Sequence, residues 1–199
     1  MQNPDDTARP DIPCVILAGG QSRRFGSNKA LARVRGTRLI DLMIQRLAAQ
    51  TTGPIAVNAP DDGPLSLAPY PILPDLIHED IGPLAGLHAA LSWSESLGQE
   101  TVITSPVDTP NLPDDYVEQL LAASSPAVAT CKGRIHALHG IWPVSLKSDL
   151  EAHISAGTRA ARHWASACGA QNCEYAALSS RDPFFNVNTQ EDLSRLHES

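Results

Sequence analysis

The sequence predicts one α/β domain in which helices pack on an open, largely parallel sheet. Short apolar segments of strand length alternate with stretches of helical spacing through the first two thirds of the chain. The connections between the apolar segments are too long for hairpins, which favours parallel pairing with crossovers. A chain of 199 residues, 42% of them hydrophobic and 19% charged, is long enough to bury one good core.

The individual elements are predicted from apolar spacing and from glycine and proline breaks. Val15 and Ile16 belong to a β-branched run that stops at Gly19-Gly20, and Gly82-Pro83 places proline at the first position of a helix. In chain order the predicted elements are strand 14–17, helix 39–49, strands 54–58 and 71–73, helix 83–93, strand 101–105, helix 113–123, strands 127–131 and 138–142, helices 145–155 and 158–168, strand 184–187 and helix 190–197.

Polar or glycine-rich residues follow four of the predicted strands. The Gly19-Gly20 loop follows the first strand, and Asn58, Asp75 and Asp108 come at or just after the ends of later ones. The carboxyl ends of parallel strands meet at one edge of a sheet, and ligands bind there. The sequence therefore predicts a ligand site along this edge.

The loop between Ala18 and Lys29 has the composition of a phosphate-binding loop. It holds three glycines, two serines and two arginines before the lysine, and no acidic residue. Glycines let successive backbone N–H groups point into one concavity that holds an anion. In a chain of net charge -7, residues 12–40 contain no acid and six of the 15 Lys and Arg residues, namely Arg23, Arg24, Lys29, Arg33, Arg35 and Arg38. A polyanion such as a nucleoside triphosphate is the ligand that this charge favours.

Two common phosphate loops do not fit this segment. A Walker loop has four residues between its glycines and a lysine after the second, but five residues separate Gly20 from Gly26, and Ser27 follows. A dinucleotide fingerprint needs a second glycine where Gln21 stands. The loop therefore belongs to a different class of nucleotide site.

Composition excludes several classes of function. No apolar run approaches the length of a membrane span, and residues 1–13, rich in proline and aspartate, are expected to form a mobile leader to a single domain at 14–199. The acidic balance argues against nucleic-acid binding. The four cysteines and seven histidines lack the spacing of a disulfide framework or a zinc site. A cytoplasmic protein with buried thiols is expected.

The pattern Leu-Ala-Gly-Gly-x-Ser-x-Arg-x-Gly-x-x-Lys-Ala-Leu at residues 17–31 resembles the signature loop of the molybdenum cofactor guanylyltransferase family. Phe25 and Asn28 depart from the usual family form, which has methionine and aspartate at these positions. The resemblance continues nearly to the end of the chain, in matching order and spacing, through Gly36, Leu39-Ile40, Asn58, Asp75, Gly82-Pro-Leu-Ala-Gly86, Asp108-Thr-Pro110, Gly157-x-Arg159 and Phe185-Asn-Val-Asn188-Thr.

The resemblance implies a three-layer, Rossmann-like fold of the glycosyltransferase-A/nucleotidyltransferase type. It also implies Mg²⁺-dependent transfer of GMP from GTP to the terminal phosphate of the molybdopterin cofactor, with transient contacts to enzymes that make or accept the cofactor. The residues that it assigns to catalysis are Lys29 and Asp108, with Asp108 as the magnesium ligand. Those that it assigns to GTP are Leu17, Ala18, Gly19, Gly20, Arg24, Lys29, Asn58, Asp75 and Asp108. Those that it assigns to the pterin substrate are Gly82, Gly86, Arg159, Asn186 and Asn188.

The implied reaction agrees with the chemistry of the side chains. A phosphate monoester with a second pKa of about 6 is already mostly dianionic at neutral pH, so the attacking group needs no general base. Catalysis should consist of positioning and of charge neutralisation by Mg²⁺, Lys29 and backbone donors. The absence of a His or Cys catalytic constellation is therefore expected.

Several of these residues could instead have a purely structural role, and the sequence does not decide between the two. Asp108 and Asn58 could be turn or capping residues, Arg159 could face solvent, and Asn186 and Asn188 could bond a loop or cap the last helix.

Two other functions also stay open. A cytidylyltransferase using CTP usually has Leu-Ala-Ala-Gly in the loop, so Gly19-Gly20 after Ala18 favours guanine. A carrier that binds cofactor or nucleotide without catalysis is suggested by Asn28, where the family carboxylate is missing.

Overall fold

The computed structural model describes residues 9–19, 29–65, 69–77, 81–177, 182–189 and 191–192. Within these ranges, seven strands form one sheet with helices on both faces, and two further strands form a small hairpin. The predicted α/β class with a mostly parallel sheet is confirmed. Gly20 and Arg24 lie outside the described residues, as does most of the predicted helix 190–197.

The first half of the chain builds one side of the sheet and its first two helices. The elements in order are β1 (Cys14–Leu17), a 3-10 turn (Lys29–Leu31), β2 (Arg33–Val34), β3 (Thr37–Arg38), α1 (Leu39–Ala48), β4 (Ile55–Asn58), β5 (Ile72–Leu73) and α2 (Pro83–Ser96). The second half contains β6 (Thr101–Pro106), α3 (Tyr116–Ala122), β7 (Ala127–Cys131), β8 (Arg134–Pro143), a 3-10 turn (Val144–Leu146), α4 (Lys147–Ser155), α5 (Ala161–Ala167) and β9 (Gln171–Glu174).

The strand order in the sheet is β5-β4-β1-β6-β8-β7-β9. β1 pairs in parallel with β4 on one side and with β6 on the other, whereas β8 runs antiparallel to both of its neighbours. The chain first adds β4 and β5 to one side of β1 and then returns to place β6 on the other. The boundary between β1 and β6 is therefore a topological switch point, where crevices form outside the carboxyl ends of the strands.

Alternate side chains of the central strand pack into different cores. In β1, Cys14 and Ile16 face the core that α1 and α3 cover, and Val15 faces the core that α2, α4 and α5 cover. The two faces of the sheet thus give the three layers that the family resemblance implies. The apolar stripe of α1 is fully buried at Leu39, Ile40, Met43 and Leu47.

Two buried tryptophans stack in the second core. The rings of Trp142 in β8 and Trp164 in α5 lie 4.9 Å apart. The Trp142 indole donates a hydrogen bond to Thr104 Oγ1 at 2.9 Å, and the Trp164 indole donates to Asp149 Oδ2 at 2.9 Å. Both indole N–H groups are thereby satisfied inside an apolar layer, as burial requires.

Several predicted boundaries differ from those observed. The expected strand at 184–187 is wrong, because Asp182 makes a turn there: its Oδ1 accepts from the Phe184 amide and its carbonyl from the Phe185 amide. Helix α3 begins at Tyr116 rather than 113, after a turn closed by a hydrogen bond from the Tyr116 amide to the Pro113 carbonyl.

Part of the predicted leader contacts the domain. Ile12 is buried, and the Pro10 carbonyl accepts a hydrogen bond of 2.8 Å from the Thr51 hydroxyl. The packed part of the chain therefore begins before Cys14. In the ranges that the structure describes, no helix is both long enough and apolar enough to cross a membrane.

Candidate active site

Three neighbouring strands bring the predicted site residues to one edge of the sheet. Leu17, the last residue of β1, is in register with Asn58 of β4 on one side and with Pro106 of β6 on the other. The backbone continues this pairing past the strand ends, where the Ala18 amide donates to the Asn58 carbonyl at 2.9 Å and the Val107 amide donates to the Leu17 carbonyl at 3.0 Å. Leu17, Ala18, Asn58 and Asp108 therefore lie along the predicted edge.

Lys29 and Asp108 form an ion pair at this edge. Lys29 Nζ donates to Asp108 Oδ2 at 2.7 Å, and the two side chains are only 13% and 16% exposed. The 3-10 turn that starts at Lys29 is anchored by the buried Ala30. The pair joins the loop after β1 to the loop after β6, across the switch point of the sheet.

A third residue joins this pair from near the end of the chain. Lys29 Nζ also donates to Asn188 Oδ1 at 2.8 Å, and the Val187 amide donates to the Asp108 carbonyl at 2.8 Å. Asn188 thus contacts the ammonium group, while its neighbour holds the backbone of the aspartate. Three segments far apart in sequence meet at Lys29.

The second carboxylate oxygen of Asp108 has a different environment. Asp108 Oδ1 is buried, and no hydrogen-bond donor of the described residues reaches it. A buried oxygen of this kind usually binds a donor, a water molecule or a cation. In the same residues no group of three or more His, Cys, Asp or Glu side chains could hold a metal ion. A cation at Asp108 would therefore take its other ligands from phosphate oxygens and water, as Mg²⁺ does.

Asn58 and Asp75 form a second polar pair on the other side of β1. Asn58 is 3% exposed, and its Nδ2 donates to Asp75 Oδ1 at 2.8 Å and to the Leu73 carbonyl at 3.0 Å. Both amide hydrogens are thereby used, and the half-buried Asp75 is fixed at the end of β5. The arrangement makes Asn58 the support of a carboxylate that faces the edge.

Two glycines leave room for the Asn58 side chain. A Cβ atom at Gly86 would lie 2.4 Å from Asn58 Oδ1, and a Cβ atom at Gly19 would lie 3.0 Å from it. Gly86 is in the first turn of α2, so this turn packs directly against the edge. Gly82 precedes the helix with φ of 62°, a conformation that glycine adopts without strain.

Arg159 lies near this helix start, but its side chain is engaged elsewhere. Its Nη1 donates to the Ile154 carbonyl at 2.9 Å and to the Thr158 carbonyl at 3.0 Å, at the end of α4. Its backbone carbonyl is 3.9 Å from the position of a Cβ at Gly82. The structure therefore brings the Arg159 backbone to Gly82, while the guanidinium binds backbone carbonyls at a helix end.

Asn186 and Asn188 do not share one face of a strand, because residues 184–187 are not a strand. Asn188 contacts Lys29, and Asn186 is half-buried two residues earlier. The cap of the next helix is made by Thr189 instead: its hydroxyl accepts from the Asp192 amide at 3.1 Å, and Asp192 Oδ2 accepts from the Thr189 amide at 2.9 Å.

Buried histidines and aromatic rings pack against residues 184–187 from the interior of the protein. The Phe184 ring is fully buried, 5.0 Å from His136 and 4.6 Å from His139. Burial lowers the pKa of His139 well below its ordinary value. Burial also lowers the pKa of His136, although the adjacent Asp182 carboxylate opposes this effect. This contact was not predicted from the sequence, where its only signal is the His-x-x-His spacing at 136 and 139.

Comparisons with known proteins identify the family of this chain. Residues 14–172 match the family described as the MobA-like NTP transferase domain. The chain is 35% identical over 195 residues to a molybdenum cofactor guanylyltransferase of Rhizobium rhizogenes, with 92% of this chain and 89% of the relative covered. It is 38% identical over 192 residues to a molybdenum cofactor guanylyltransferase of Acidiphilium cryptum, with 94% and 95% covered.

A solved structure supports the fold. The crystal structure of molybdopterin-guanine dinucleotide biosynthesis protein A from Archaeoglobus fulgidus superimposes with a TM-score of 0.72 at 22% identity, covering 94% of this chain and 97% of that one. The likeness extends over nearly the whole of both chains. The chain belongs to the MobA-like NTP transferase family, as the matched residues and the two relatives show and the shared fold supports.

Proposed function

We propose that this chain transfers GMP from GTP to the terminal phosphate of the molybdopterin cofactor. A phosphate oxygen of the cofactor attacks the α-phosphorus of GTP, a new P–O bond forms, the bond to the β-phosphate breaks, and pyrophosphate leaves. The observation that carries the proposal is the Lys29–Asp108 ion pair across the switch point between β1 and β6, at 2.7 Å. Relatives at 35% and 38% identity that are named molybdenum cofactor guanylyltransferases support the choice of substrates.

Lys29 is the residue that we assign to the triphosphate. Its side chain is 13% exposed at the end of the glycine-rich loop, next to the carboxyl edge where Leu17, Ala18 and Gly19 lie. A lysine held in place before the substrate binds stabilises the charge that develops on the phosphates without further reorganisation. Gly20 and Arg24 belong to the same proposed phosphate contact on the evidence of the sequence alone.

Asp108 is the residue that we assign to Mg²⁺. Its Oδ1 atom fits a cation, because it is buried and no donor among the described residues satisfies it. When bound, Mg²⁺ would neutralise phosphate charge and orient the phosphates. The Val187 amide fixes the Asp108 backbone at 2.8 Å, so the carboxylate position is set before any ligand binds.

We assign the guanosine to the side of the edge formed by Asn58 and Asp75. The Asp75 carboxylate, oriented by the Asn58 amide at 2.8 Å, is an acceptor suited to N–H or O–H groups of a nucleoside. We assign the pterin substrate to Gly82, Gly86, Arg159, Asn186 and Asn188, of which Gly86 packs against Asn58 and Asn188 contacts Lys29. Asn188 supports this assignment because it contacts Lys29 directly.

The test is a two-stage experiment with purified protein. Calorimetric titration with GTP, CTP and ATP in the presence of Mg²⁺ should give a clear preference for GTP. Incubation with GTP and molybdopterin cofactor should then give the guanine dinucleotide and an equal amount of pyrophosphate. Preference for CTP would instead identify the chain as a cytidylyltransferase, and nucleotide binding without product would identify it as a carrier.

Transient contact with enzymes that make or accept the cofactor belongs to the same proposal, since the cofactor has to be received and passed on.

We place the reaction in the cytoplasm. All four cysteines are free thiols, and three of them are buried. Burial raises the pKa of Cys14 to about 12, so this thiol stays protonated and unreactive. Free structural thiols are typical of reducing compartments.

A further inference from the structure

Residues 182–188, here called the C-terminal strap, carry Asn188 to the proposed site. At the far end of the strap, Asn188 Oδ1 accepts from Lys29 at 2.8 Å and the Val187 amide donates to the Asp108 carbonyl at 2.8 Å. Both proposed catalytic residues are therefore held by the strap. The position of the strap depends in turn on what holds its other end.

At that other end Asp182 makes three hydrogen bonds. Its Oδ2 is 2.9 Å from His136 Nε2, its Oδ1 accepts from the Phe184 amide at 2.9 Å, and its carbonyl accepts from the Phe185 amide at 3.1 Å. The side chains of His136 and Asp182 are only 5% and 19% exposed. The carboxylate thus shapes the first turn of the strap and joins it to β8.

The ring of Phe184 gives the strap its second anchor. It is fully buried among His136, His139 and Tyr175, whose ring centres lie 5.0, 4.6 and 5.0 Å away. The buried Phe184 ring determines how deeply the strap is inserted into the protein. Apolar packing alone does not determine the direction in which the chain runs. The hydrogen bonds of Asp182 supply the direction in which the chain leaves this anchor.

We propose that Asp182 and His136 are positioning residues that hold the C-terminal strap so that it reaches Lys29 and Asp108. This inference rests on the proposed function for its catalytic consequence, but the hold itself is a property of the free protein. The pair acts through hydrogen bonds and not through its charge, because a buried imidazole can donate its Nε2 proton to the carboxylate while remaining neutral.

Three variants distinguish a strap held by hydrogen bonds from a strap held by the charge of the pair. Asp182→Ala and His136→Leu each remove the link to β8. Asp182→Asn retains it, since the amide oxygen can accept from the Phe184 amide while the amide nitrogen donates to the other tautomer of His136. The matched control is His88→Leu. His88 Nε2 lies 2.8 Å from Glu151 Oε1 and is similarly buried, but this pair joins α2 to α4 and does not touch the strap.

The first measurement is hydrogen exchange of the peptide that covers the strap, in the free protein. Loss of a hydrogen bond to a carboxylate should accelerate exchange by about 10-fold or more in Asp182→Ala and His136→Leu. Asp182→Asn and His88→Leu should exchange like the wild type. Unchanged exchange of the strap in Asp182→Ala would overturn the proposal.

The second measurement is steady-state turnover with GTP and molybdopterin cofactor. Misplacement of the strap should lower kcat by up to about 100-fold in Asp182→Ala and raise KM for the cofactor more than KM for GTP. Asp182→Asn should restore kcat to near the wild-type value. A kcat/KM of Asp182→Ala within about 2-fold of the wild type would overturn the positioning role. If the wild-type protein transferred no nucleotide, the proposed function would fail, and hydrogen exchange would still decide whether the pair holds the strap.

Discussion

Gly86→Ala tests whether the first turn of α2 fixes Asn58. The added Cβ would lie 2.4 Å from Asn58 Oδ1 and 3.1 Å from Asn58 Cγ, closer than side chains tolerate. The nearest other atom, Leu17 Cδ2, would be 3.3 Å away at the end of a side chain that can adjust. Asn58 has to move, and both hydrogen bonds of its Nδ2, to Leu73 and Asp75, break as a consequence.

The expected effect on stability follows from these two bonds. The bond to the Leu73 carbonyl should contribute about 1 kcal/mol, and the bond to the Asp75 carboxylate about 1.5 to 3 kcal/mol. Replacing glycine by alanine inside a helix gains about 1 kcal/mol. The free energy of unfolding should therefore fall by about 1.5 to 3 kcal/mol. GTP affinity should fall as well, because Asp75 loses its support.

The assay is urea denaturation of four proteins: the wild type, Gly86→Ala, Asn58→Ala and the double variant. In the Asn58→Ala background the close contact is absent, so Gly86→Ala should be neutral or stabilising by up to about 1 kcal/mol. The sign of the effect should thus reverse between the two backgrounds. An equal loss of stability in both backgrounds would refute the reasoning.

Three further predictions follow from the proposed catalytic residues and the buried histidine. Lys29→Ala should lower turnover by about 100-fold to 1,000-fold while the protein stays folded, whereas Lys147→Ala, which removes an exposed ion pair, should leave turnover unchanged. Asp108→Asn should raise the Mg²⁺ concentration for half-maximal turnover by about 10-fold or more, and an unaltered magnesium titration would contradict the ligand assignment. Burial lowers the pKa of native His139, so the unfolded chain binds its proton first as the pH falls. Stability should therefore decrease below about pH 6.5, by up to about 1.4 kcal/mol per pH unit for this proton, and His139→Leu should make the decrease shallower in urea denaturation at several pH values.

The central strands could be predicted because they are apolar and bounded by breaks. β9 could not, since Gln171–Glu174 has one buried residue, Cys173, and pairs with β7 through its backbone. The β2–β3 hairpin was missed because each strand has two residues and its turn places Arg35 at φ of 49°, which no simple turn signal predicts. The prediction of a strand at 184–187 was wrong because the hydrogen bonds that Asp182 accepts from the next residues form a turn there, despite the alternation of polar and apolar residues.

The site could be predicted to the extent that the sheet determines it. Parallel strands bring Leu17, Asn58 and Asp108 to one edge, and their order along the chain was enough to expect this. The contact between Lys29 and Asn188 spans 159 residues and depends on the course of the strap, which no local pattern encodes. The engagement of Arg159 with the end of α4 is likewise a property of the folded chain.

The tryptophan stack determines which optical signals this protein can give. Of three tryptophans, Trp142 and Trp164 are fully buried in contact with each other. Trp142 is in register with Val102, near the start of β6, whereas the site begins beyond Pro106, about 13 Å further along the strand at 3.3 Å per residue. Emission from this pair should therefore report the loss of packing between α5 and the sheet during denaturation rather than the binding of a nucleotide.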